Sequence, residues 1–336
     1  MCRLRICDPA AVGLTGGTEA VRTEILKWKH GKERKPLNQI HLGRGCTVLL
    51  LCAAMCMPLC AKGETLPIDL SGGVPPREEC YLGDSVYEDD SIRVEIERMT
   101  VNKTQCYVAR ITIRDASQLR TAPAYAFNRA QTAEIDAIAR RMNAVFAISG
   151  DYFAYQLQNK GSYLVRQGQL YADVPIDGRD VLVIDAAGDF HIVEGKKTKE
   201  ETKAAIEALS PLGIVNTFNF GPGLVIEGEA LDPAYDAVFN FSEGKHRRCA
   251  IAQVERGKLE YLCICCDGSK DEGSAGMTLT EFAEFVAGFG VQNAYNLDGG
   301  NTTAMYFGGS KINAENSAYS RPISDIIYFA SAAKGE

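Results

Sequence analysis

The amino-acid sequence predicts an α+β fold: a mixed, largely antiparallel β-sheet flanked by a few α-helices within a single domain. Two observations lead to this prediction. Many segments alternate apolar and polar residues with the period of two that is typical of half-buried strands, while fewer segments repeat apolar residues at helical spacing. Short turns join most of the strand-like segments, which favours antiparallel pairing between neighbours along the chain.

The predicted elements cover the chain from about residue 85 to residue 332. In chain order they are strands over 91–101 and 106–115, a helix over 132–144 with Thr132 as its N-cap, a strand over 144–149, a hairpin over 180–193 that turns at 187–189, a helix over 199–209, a strand and hairpin over 217–231 that a Gly-Pro-Gly break interrupts, a hairpin over 247–268 that turns at Arg256-Gly257, a helix over 278–289 followed by Gly290, and a last strand over 321–331.

The clearest strands and the clearest helix carry explicit signals. Residues 91–101 place Ile92, Val94 and Ile96 on one face, and residues 106–115 alternate in the same way, so these two segments should pair across the turn between them. In the helix that starts near residue 278, a Thr and a Glu three residues apart form the S/T-x-x-E pattern of a capping box. Gly290 lies where a C′ glycine ends such a helix.

The first 84 residues differ from the rest of the chain. Residues 46–61 form the longest apolar run, with basic residues before it and a small residue at its end, which is typical of a signal-peptide core or a membrane anchor. We therefore expect an N-terminal extension over 1–61, a linker rich in Pro and Gly over 62–84, and a globular domain over 85–332. The predicted location is extracytoplasmic, either secreted or attached to a membrane through 46–61.

Charge and cysteine usage exclude some classes of function. The net charge of −7 argues against a surface that binds nucleic-acid phosphates. Six of the 12 cysteines lie beyond residue 61, and three of these six belong to an apolar strand at 261–266, where Cys acts as a small hydrophobic residue. No Cys and His spacing of a zinc site occurs. An exported chain also permits disulfides, and Cys80 with Cys106 is one candidate pair.

Four apolar strands end abruptly in glycine and polar residues, and these ends are the candidate functional positions. The sequences are Ser149-Gly150-Asp151, Gly221-Pro222-Gly223, Asp267-Gly268-Ser269, and Asp298-Gly299-Gly300-Asn301-Thr302-Thr303. Glycine lets a ligand approach the backbone, and strand ends are places where ligand-binding groups converge. Asp151 and Asp298 are the strongest candidates, because a carboxyl at the end of a buried strand is desolvated and acquires a perturbed pKa.

Other arrangements of catalytic residues are missing from the sequence. There is no G-x-S-x-G elbow, P-loop or H-E-x-x-H motif, and the four His residues are scattered. Chemistry in this chain would therefore depend on carboxylates and hydrogen-bond donors, as in glycosidic cleavage. Arg247, Arg248 and Arg321 border the strand ends and could bind an anion through their guanidinium groups.

Four segments together resemble the phosphodiester glycosidase family. Residues 276–309 with 320–329 resemble the family's helix, Asn-Leu-Asp-Gly-Gly motif and final Arg and Ser, which are Arg321 and Ser324 here. Residues 144–153, 218–229 and 247–259 resemble three further family segments in the same order. The resemblance covers about residues 140 to 330. This chain departs from the family pattern at Ser149, where Asn is usual, at Cys249, where Thr is usual, and at Thr302 and Thr303, where Ser is usual.

The resemblance implies a catalytic domain that hydrolyses a sugar-1-phosphodiester at the sugar C1–O bond. The substrate would be a glycan or sugar phosphate, and no cofactor would be required. Asp298 or Asp151 would stabilise C1 or activate water. The residues expected to bind the sugar or the phosphate are Arg248, Arg321, Gly150, Gly299, Gly300, Asn301, Thr302 and Thr303, with Asp325 orienting Arg321.

Two other functions remain open at this point. The same polar strand ends could bind a cell-surface glycan or exopolysaccharide without cleaving it. Alternatively, the chain could be a metal-dependent phosphodiesterase that cuts P–O bonds, although such two-metal sites need clusters of Asp and His. A structural Ca²⁺ held by Asp carboxylates and backbone carbonyls is also compatible with the sequence.

Overall fold

The fold is described from a computed structural model, which describes residues 72–152, 161–195, 198–230, 244–314 and 319–332. The apolar segment 46–61, the N-terminal extension 1–61 and the first part of the predicted linker lie outside the described residues. Within the described ranges, no helix has both the length and the apolar character needed to cross a membrane.

Eighteen strands and three α-helices account for the regular structure of the described residues. The strands are β1 (Val86–Glu88), β2 (Ile92–Val101), β3 (Thr104–Ile113), β4 (Leu119–Pro123), β5 (Ala144–Ser149), β6 (Ser162–Arg166), β7 (Gln169–Val174), β8 (Val181–Asp185), β9 (Phe190–Val193), β10 (Ile214–Phe218), β11 (Gly223–Ile226), β12 (Glu229–Ala230), β13 (Arg248–Gln253), β14 (Glu260–Cys266), β15 (Asn293–Asn296), β16 (Met305–Phe307), β17 (Ser310–Lys311) and β18 (Asp325–Ala330). The helices are α1 (Ile135–Arg141), α2 (Lys199–Glu207) and α3 (Leu279–Ala287).

The strands form several antiparallel sheets, so the expectation of one mixed sheet is corrected. The largest sheet has eight strands in the order β1-β2-β3-β14-β13-β15-β11-β12, and a second has five strands in the order β17-β16-β5-β18-β4. A three-stranded sheet (β10-β8-β9) and the β6–β7 hairpin complete the set. Sequence alternation identifies the buried face of a strand but not the sheet to which the strand belongs.

The two larger sheets pack face to face between two helices. One apolar core contains residues from both sheets, for example Ile111 of the eight-stranded sheet and Ile327 of the five-stranded sheet. The rings of Tyr261 and Phe329 meet across this interface, with centroids 5.6 Å apart. Helix α3 covers the outer face of the eight-stranded sheet, and α1 covers the outer face of the five-stranded sheet. The central architecture is therefore a helix, two stacked sheets and a second helix.

The capping predictions for the helices are confirmed in part. Thr278 caps α3 and forms the predicted capping box with Glu281. Helix α1 starts later than predicted, with Glu134 rather than Thr132 at the N-cap position. Helix α3 ends at Ala287, so Gly290, at a φ of +70°, belongs to the turn after the helix.

The six cysteines beyond residue 61 are buried and unbridged. All six are free thiols: Cys80, Cys106, Cys249, Cys263, Cys265 and Cys266. The candidate Cys80–Cys106 pair is therefore wrong. Cys80 lies in the core between the two sheets, whereas Cys106 lies in the core beneath α3.

The segment 297–304 connects the two main sheets. It leaves β15 in the eight-stranded sheet, makes a short 3-10 turn over Gly300–Thr302, and enters β16 in the five-stranded sheet. It is not the hairpin that an Asp-Gly pair usually signals. This crossing places Asp298, which follows β15, beside residues supplied by the other sheet.

Candidate active site

Three buried carboxyl groups converge where the two main sheets meet. Asp298 follows β15 of the eight-stranded sheet, while Asp151 follows β5 and Asp325 begins β18 of the five-stranded sheet. All three are at most 7% exposed. The Asp298 amide donates to the Gly150 carbonyl at 3.2 Å, and the Gly150 amide donates to the Asp325 carbonyl at 3.1 Å. These two hydrogen bonds fix the three strand ends against one another.

Arg166, at the end of β6, provides the cation inside this group. Its side chain has no solvent exposure, and its Nε and Nη2 donate to Asp325 Oδ2 at 3.0 and 2.9 Å. Nη2 also lies 3.8 Å from Asp151 Oδ2. Nη1 donates to the Val165 and Thr217 carbonyls, and the guanidinium stacks on the Phe218 ring at 4.3 Å from its centroid. A buried ion pair needs this density of hydrogen bonds to offset desolvation.

Asp151 is held by backbone groups on both of its oxygens. Oδ1 accepts from the Tyr152 amide at 2.9 Å, and Oδ2 accepts from the Asn219 amide at 2.6 Å. Its own amide donates to Asp325 Oδ1 at 2.8 Å. These amide donors hold the Asp151 carboxyl in one orientation at the centre of the cluster.

The pKa of Asp298 is raised to about 7, mainly by burial. The negative charges of Asp151 and Asp325 contribute to this rise, while the Thr302 hydroxyl and the positive charge of Arg321 oppose it. Because this pKa is close to neutrality, Asp298 can accept or donate a proton at physiological pH. Groups with such a pKa are suited to general acid–base chemistry.

Burial also raises the pKa of Asp325, to about 6. The Arg166 guanidinium opposes this rise, and the charge of Asp151 adds to it. Asp325 was expected to orient Arg321, but its carboxylate instead accepts hydrogen bonds from the Arg166 guanidinium and the Asp151 amide. Asp325 therefore binds the buried Arg166 rather than the exposed Arg321.

Gly150 allows the close approach of these groups. A Cβ at this position would lie 2.5 Å from Asp325 Oδ1 and 2.9 Å from its Cγ, both far inside van der Waals contact. The absence of a side chain at residue 150 is thus needed for the Asp325 carboxylate to reach the Asp151 amide. This is a packing requirement rather than a direct contact with a ligand.

The crossing segment surrounds Asp298 with small polar groups. The Gly300 amide donates to the Arg247 carbonyl at 3.0 Å, which fixes the segment against the start of β13. Thr302 Oγ1 lies 2.7 Å from the Gly299 carbonyl and also hydrogen-bonds Asp298. Thr303 is 1% exposed, and among the described residues its Oγ1 has no hydrogen-bond partner. A buried hydroxyl of this kind is suited to bind an atom of a ligand.

Arg321 lies on the outer side of Asp298. Its side chain is exposed, its amide donates to the Asn301 carbonyl at 2.9 Å, and its Cζ is 5.3 Å from the centroid of the Tyr152 ring. The effect of its charge on the pKa of Asp298 places the guanidinium within electrostatic reach of that carboxyl. Arg321 is therefore positioned to bind an anion next to Asp298.

Arg248 has a different environment from Arg321. Its Nε donates to the Met277 carbonyl at 3.1 Å, its Nη2 donates to the Gly244 carbonyl at 2.8 Å, and the residue is 8% exposed. Burial lowers its pKa. The backbone of Arg248 borders the site, since its Cα would lie 3.8 Å from a Cβ on Gly299. These two hydrogen bonds direct the Arg248 side chain toward the start of α3.

Two further observations concern metals and the choice between the candidate acids. Within the part of the chain that the structure describes, no group of three or more His, Cys, Asp or Glu residues is arranged to hold a metal ion. The expectation of a structural Ca²⁺ stays a prediction. Asp298, one of the two candidate catalytic carboxyls, combines a neighbouring surface cation, Arg321, with a pKa near neutrality.

Comparison with known proteins gives the family. The model of the phosphodiester glycosidase family matches residues 142–330, which is more than half of the chain and contains all three carboxyls. The chain belongs to the phosphodiester glycosidase family. The resemblance inferred from the sequence motifs is thereby confirmed. The sequence matches no curated protein significantly.

Two solved structures support the same fold at low sequence identity. The catalytic domain of zebrafish N-acetylglucosamine-1-phosphodiester α-N-acetylglucosaminidase, auto-inhibited by its pro-peptide, matches with a TM-score of 0.54 at 16% identity, over 80% of this chain and 97% of that one. A hypothetical protein from Synechocystis matches with a TM-score of 0.54 at 18% identity, over 72% of this chain and 62% of that one. The chain thus spans less than two thirds of the Synechocystis protein.

Two departures from the phosphodiester glycosidase pattern contact each other. Ser149 Oγ on β5 lies 3.3 Å from Cys249 Sγ on β13, so the contact joins the two main sheets directly behind Gly150. Ser149 Oγ also lies 3.3 Å from the Ala304 amide. Ser149 and Cys249 therefore form one small polar contact between the sheets.

Sequence reasoning missed Arg166 and Tyr152. Arg166 ends an apolar strand, and a charged residue in such a run is a signal of a buried ion pair. Its partner Asp325, however, is 159 residues away in sequence. Tyr152 follows Asp151 directly, and its role depends on the position of Arg321, which local sequence does not give.

Proposed function

We propose that the chain hydrolyses a sugar-1-phosphodiester at the sugar C1–O bond, with Asp298 as the general base. The observation that carries the proposal is the position of Asp298, a buried carboxyl with a pKa of about 7 that lies within the influence of Arg321. A proton acceptor beside an exposed guanidinium is the pairing needed to activate water next to a bound phosphate.

The reaction follows from these positions. Ionised Asp298 takes a proton from water as the water oxygen bonds to C1. The C1–O bond breaks, and its electron pair stays with the phosphate oxygen, which leaves in a phosphate monoester. Because a phosphate is already a stable leaving group, strong help from a general acid is unnecessary. The site instead stabilises charge, which is the largest contribution of many enzymes to catalysis.

The other residues would supply that stabilisation. Arg321 would bind the phosphate, with the Gly299 amide as a further donor. The Asp151 carboxylate would stabilise positive charge that develops at C1. The Thr303 hydroxyl and the exposed Asn301 side chain would contact the sugar or the phosphate. Arg248 and Thr302 would hold the walls of the site, in agreement with their hydrogen bonds.

The experiment that tests this function is hydrolysis of a panel of sugar-1-phosphodiesters in ¹⁸O water, starting with an N-acetylglucosamine-1-phosphodiester. Mass spectrometry of both products locates the label. Label in the sugar is expected, and label in the phosphate would show P–O cleavage and overturn the proposal. Binding of the panel without turnover would instead support a glycan-binding protein.

The location of the protein is a separate part of the proposal. The apolar run at 46–61 and the basic residues before it support export from the cytoplasm. Fractionation of cells that express the full chain tests this location, with deletion of residues 46–61 as the control. Retention of the full chain in the cytoplasm would contradict export.

A further inference from the structure

A second group of polar side chains lies along the segment 319–321, next to the site described above. Lys311 Nζ donates to Ser320 Oγ at 2.6 Å, and Lys270 Nζ lies 5.0 Å from the centroid of the Tyr319 ring. We call Lys270, Lys311, Tyr319 and Ser320 the cationic cluster. Tyr319 is 49% exposed, so one aromatic face is open to a ligand. Among the described residues, neither lysine forms an ion pair with a carboxylate.

The cationic cluster is continuous with the candidate active site. Ser320 precedes Arg321, which influences Asp298 and is tied through its amide to the Asn301 carbonyl. On the inner side, Arg247 lies close enough for its charge to lower the pKa of Lys311, although burial is the larger cause. Positive charges therefore extend from Arg321 away from Asp298.

Three acidic residues border the cluster, and one of them pairs with Arg247. Asp267, Glu134 and Asp271 act on Lys311 with their negative charges. Both carboxylate oxygens of Asp271 accept hydrogen bonds from the Arg247 guanidinium. This pairing neutralises Asp271 locally, while Lys270 is exposed and Lys311 is half-buried.

Asp267 is a buried carboxyl at the inner edge of the cluster. The residue is 4% exposed, and its Oδ2 accepts from the Tyr107 hydroxyl at 3.1 Å. Burial raises its pKa, while hydrogen bonds from the Tyr107 hydroxyl and the Ala314 amide lower it. Asp267 is thus an internal acidic neighbour of Lys311 rather than a ligand-binding group.

We propose that the cationic cluster forms a second subsite, which binds a further phosphate of the substrate on the side of the leaving group. Lys270 and Lys311 would bind the phosphate oxygens, and the Tyr319 ring would stack on a sugar. The preferred substrate would then be a glycan with successive phosphodiester links. This inference rests on the proposed function, because it extends the same site beyond the phosphate held by Arg321.

The test measures binding with compounds that cannot be cleaved at C1. One probe is the methyl ester of the C-glycosyl phosphonate of N-acetylglucosamine, and the other carries a 2-phosphoethyl ester in place of the methyl group. Calorimetry gives the affinity of each probe for the wild-type chain. We expect the phosphoethyl ester to bind about tenfold more tightly, as expected for one added hydrogen bond between charged groups.

Three variants show whether the cluster causes this preference. Lys311→Met keeps the apolar part of the side chain and should remove most of the preference, and Lys270→Gln should reduce it. Lys199→Gln, on α2, is the matched control and should leave it unchanged. Thermal unfolding of each variant checks that the fold is retained.

The outcomes separate the subsite from the proposed hydrolysis. Equal affinities of the wild-type chain for the two probes, unchanged preference in both cluster variants, or no measurable binding of the phosphoethyl ester at millimolar concentration would each overturn the subsite. A preference that depends on Lys311, found in a chain that hydrolyses no sugar-1-phosphodiester, would support the subsite and contradict the hydrolysis.

Discussion

Arg166 and Asp325 form an ion pair that is completely closed to solvent. Two guanidinium nitrogens, Nε and Nη2, donate to the same carboxylate oxygen of Asp325, and both side chains have no exposure. The pair joins the β6–β7 hairpin to the five-stranded sheet. Asp325 in turn accepts from the Asp151 amide, so the pair also positions the neighbouring carboxylate.

Replacing Arg166 with Met should destabilise the fold strongly. The change leaves the buried Asp325 carboxyl without its cation, and breaking one side of a buried pair typically costs about 3–5 kcal/mol. Urea unfolding measures the free energy. The double variant Arg166→Met, Asp325→Asn should lose less than the sum of the two single variants. Strict additivity would contradict the pairing.

Replacing Asp298 with Asn should remove catalysis with little effect on substrate binding. A general base typically contributes about 10²–10⁴-fold to the rate, so kcat should fall by at least about 100-fold. Initial rates on the phosphodiester cleaved by the wild-type chain provide the measurement. Asp84→Asn, which changes an exposed carboxyl, is the control. A loss of less than tenfold would remove Asp298 from the catalytic group.

The wild-type pH dependence should reflect Asp298. Because the ionised carboxylate is the active form, kcat/KM should rise with pH and level off above the pKa of about 7. A rate that falls as pH rises through 7 would mean that the protonated form is active, and Asp298 would then be a general acid.

The stability of the fold should fall as pH rises, whereas kcat/KM should increase. The folded-state pKa values of Asp298 and Asp325, about 7 and about 6, lie above the value near 4 of an unfolded Asp. The folded state therefore binds more protons than the unfolded state, and the free energy of unfolding falls as pH rises from about 4 to about 7. The titration of Asp298 alone lowers the free energy of unfolding by on the order of 4 kcal/mol across this pH range.

Urea unfolding across that pH window measures this effect. The Asp298→Asn variant should show a shallower decline than the wild type, because only Asp325 remains to titrate with a raised pKa. An equally steep decline in the variant would show that the pKa of Asp298 is not raised in the folded state.

Replacing Gly150 with Ala should disturb the carboxyl cluster directly. The added Cβ would meet the Asp325 carboxylate at 2.5 Å, so the carboxylate or the strand end must move. Displacements of this size near reacting groups commonly reduce rates by about 100-fold. Gly83→Ala serves as the control for backbone strain without a clash, because the φ of +82° at Gly83 disfavours Ala while no atom lies within 4 Å of its Cβ position. Normal activity of Gly150→Ala would contradict the packing argument.

Arg321 and Arg248 should respond differently to replacement by Gln. Arg321 is exposed beside Asp298, so Arg321→Gln should raise KM or lower kcat at least tenfold without changing thermal stability. Arg248 donates to two backbone carbonyls, so Arg248→Gln should lower the unfolding temperature. Comparison of kinetics and thermal unfolding in the two variants checks both expectations. Equal effects of the two changes on stability would contradict this division.

Local sequence patterns predicted the elements that depend on interactions between residues close together in the sequence. The alternation in residues 91–101 and 106–115 predicted β2 and β3, because a period of two exposes one face and buries the other. The Thr278–Glu281 pair predicted the start of α3, since a capping box involves only neighbouring residues. Asp151 and Asp298 were identified as candidate functional residues because each follows a buried strand.

Long-range partners could not be predicted in the same way. The sequence does not show that β15 and β16 belong to different sheets, because alternation carries no information about which strands pair. The role of Arg166 was missed for the same reason, since its identity as a buried cation depends on Asp325 in another sheet. The pKa of Asp298 likewise depends on burial by residues from several elements.

The crossing segment 297–304 has a consequence for how activity arises during folding. Each main sheet supplies only part of the carboxyl cluster, so a chain in which the sheets have formed but not yet stacked would hold hydrated carboxyls with ordinary acidity. Turnover would then begin only at the final assembly step. If the proposed hydrolysis holds, recovery of activity during refolding would report complete stacking of the two sheets, and copies of the chain with unstacked sheets would be inactive.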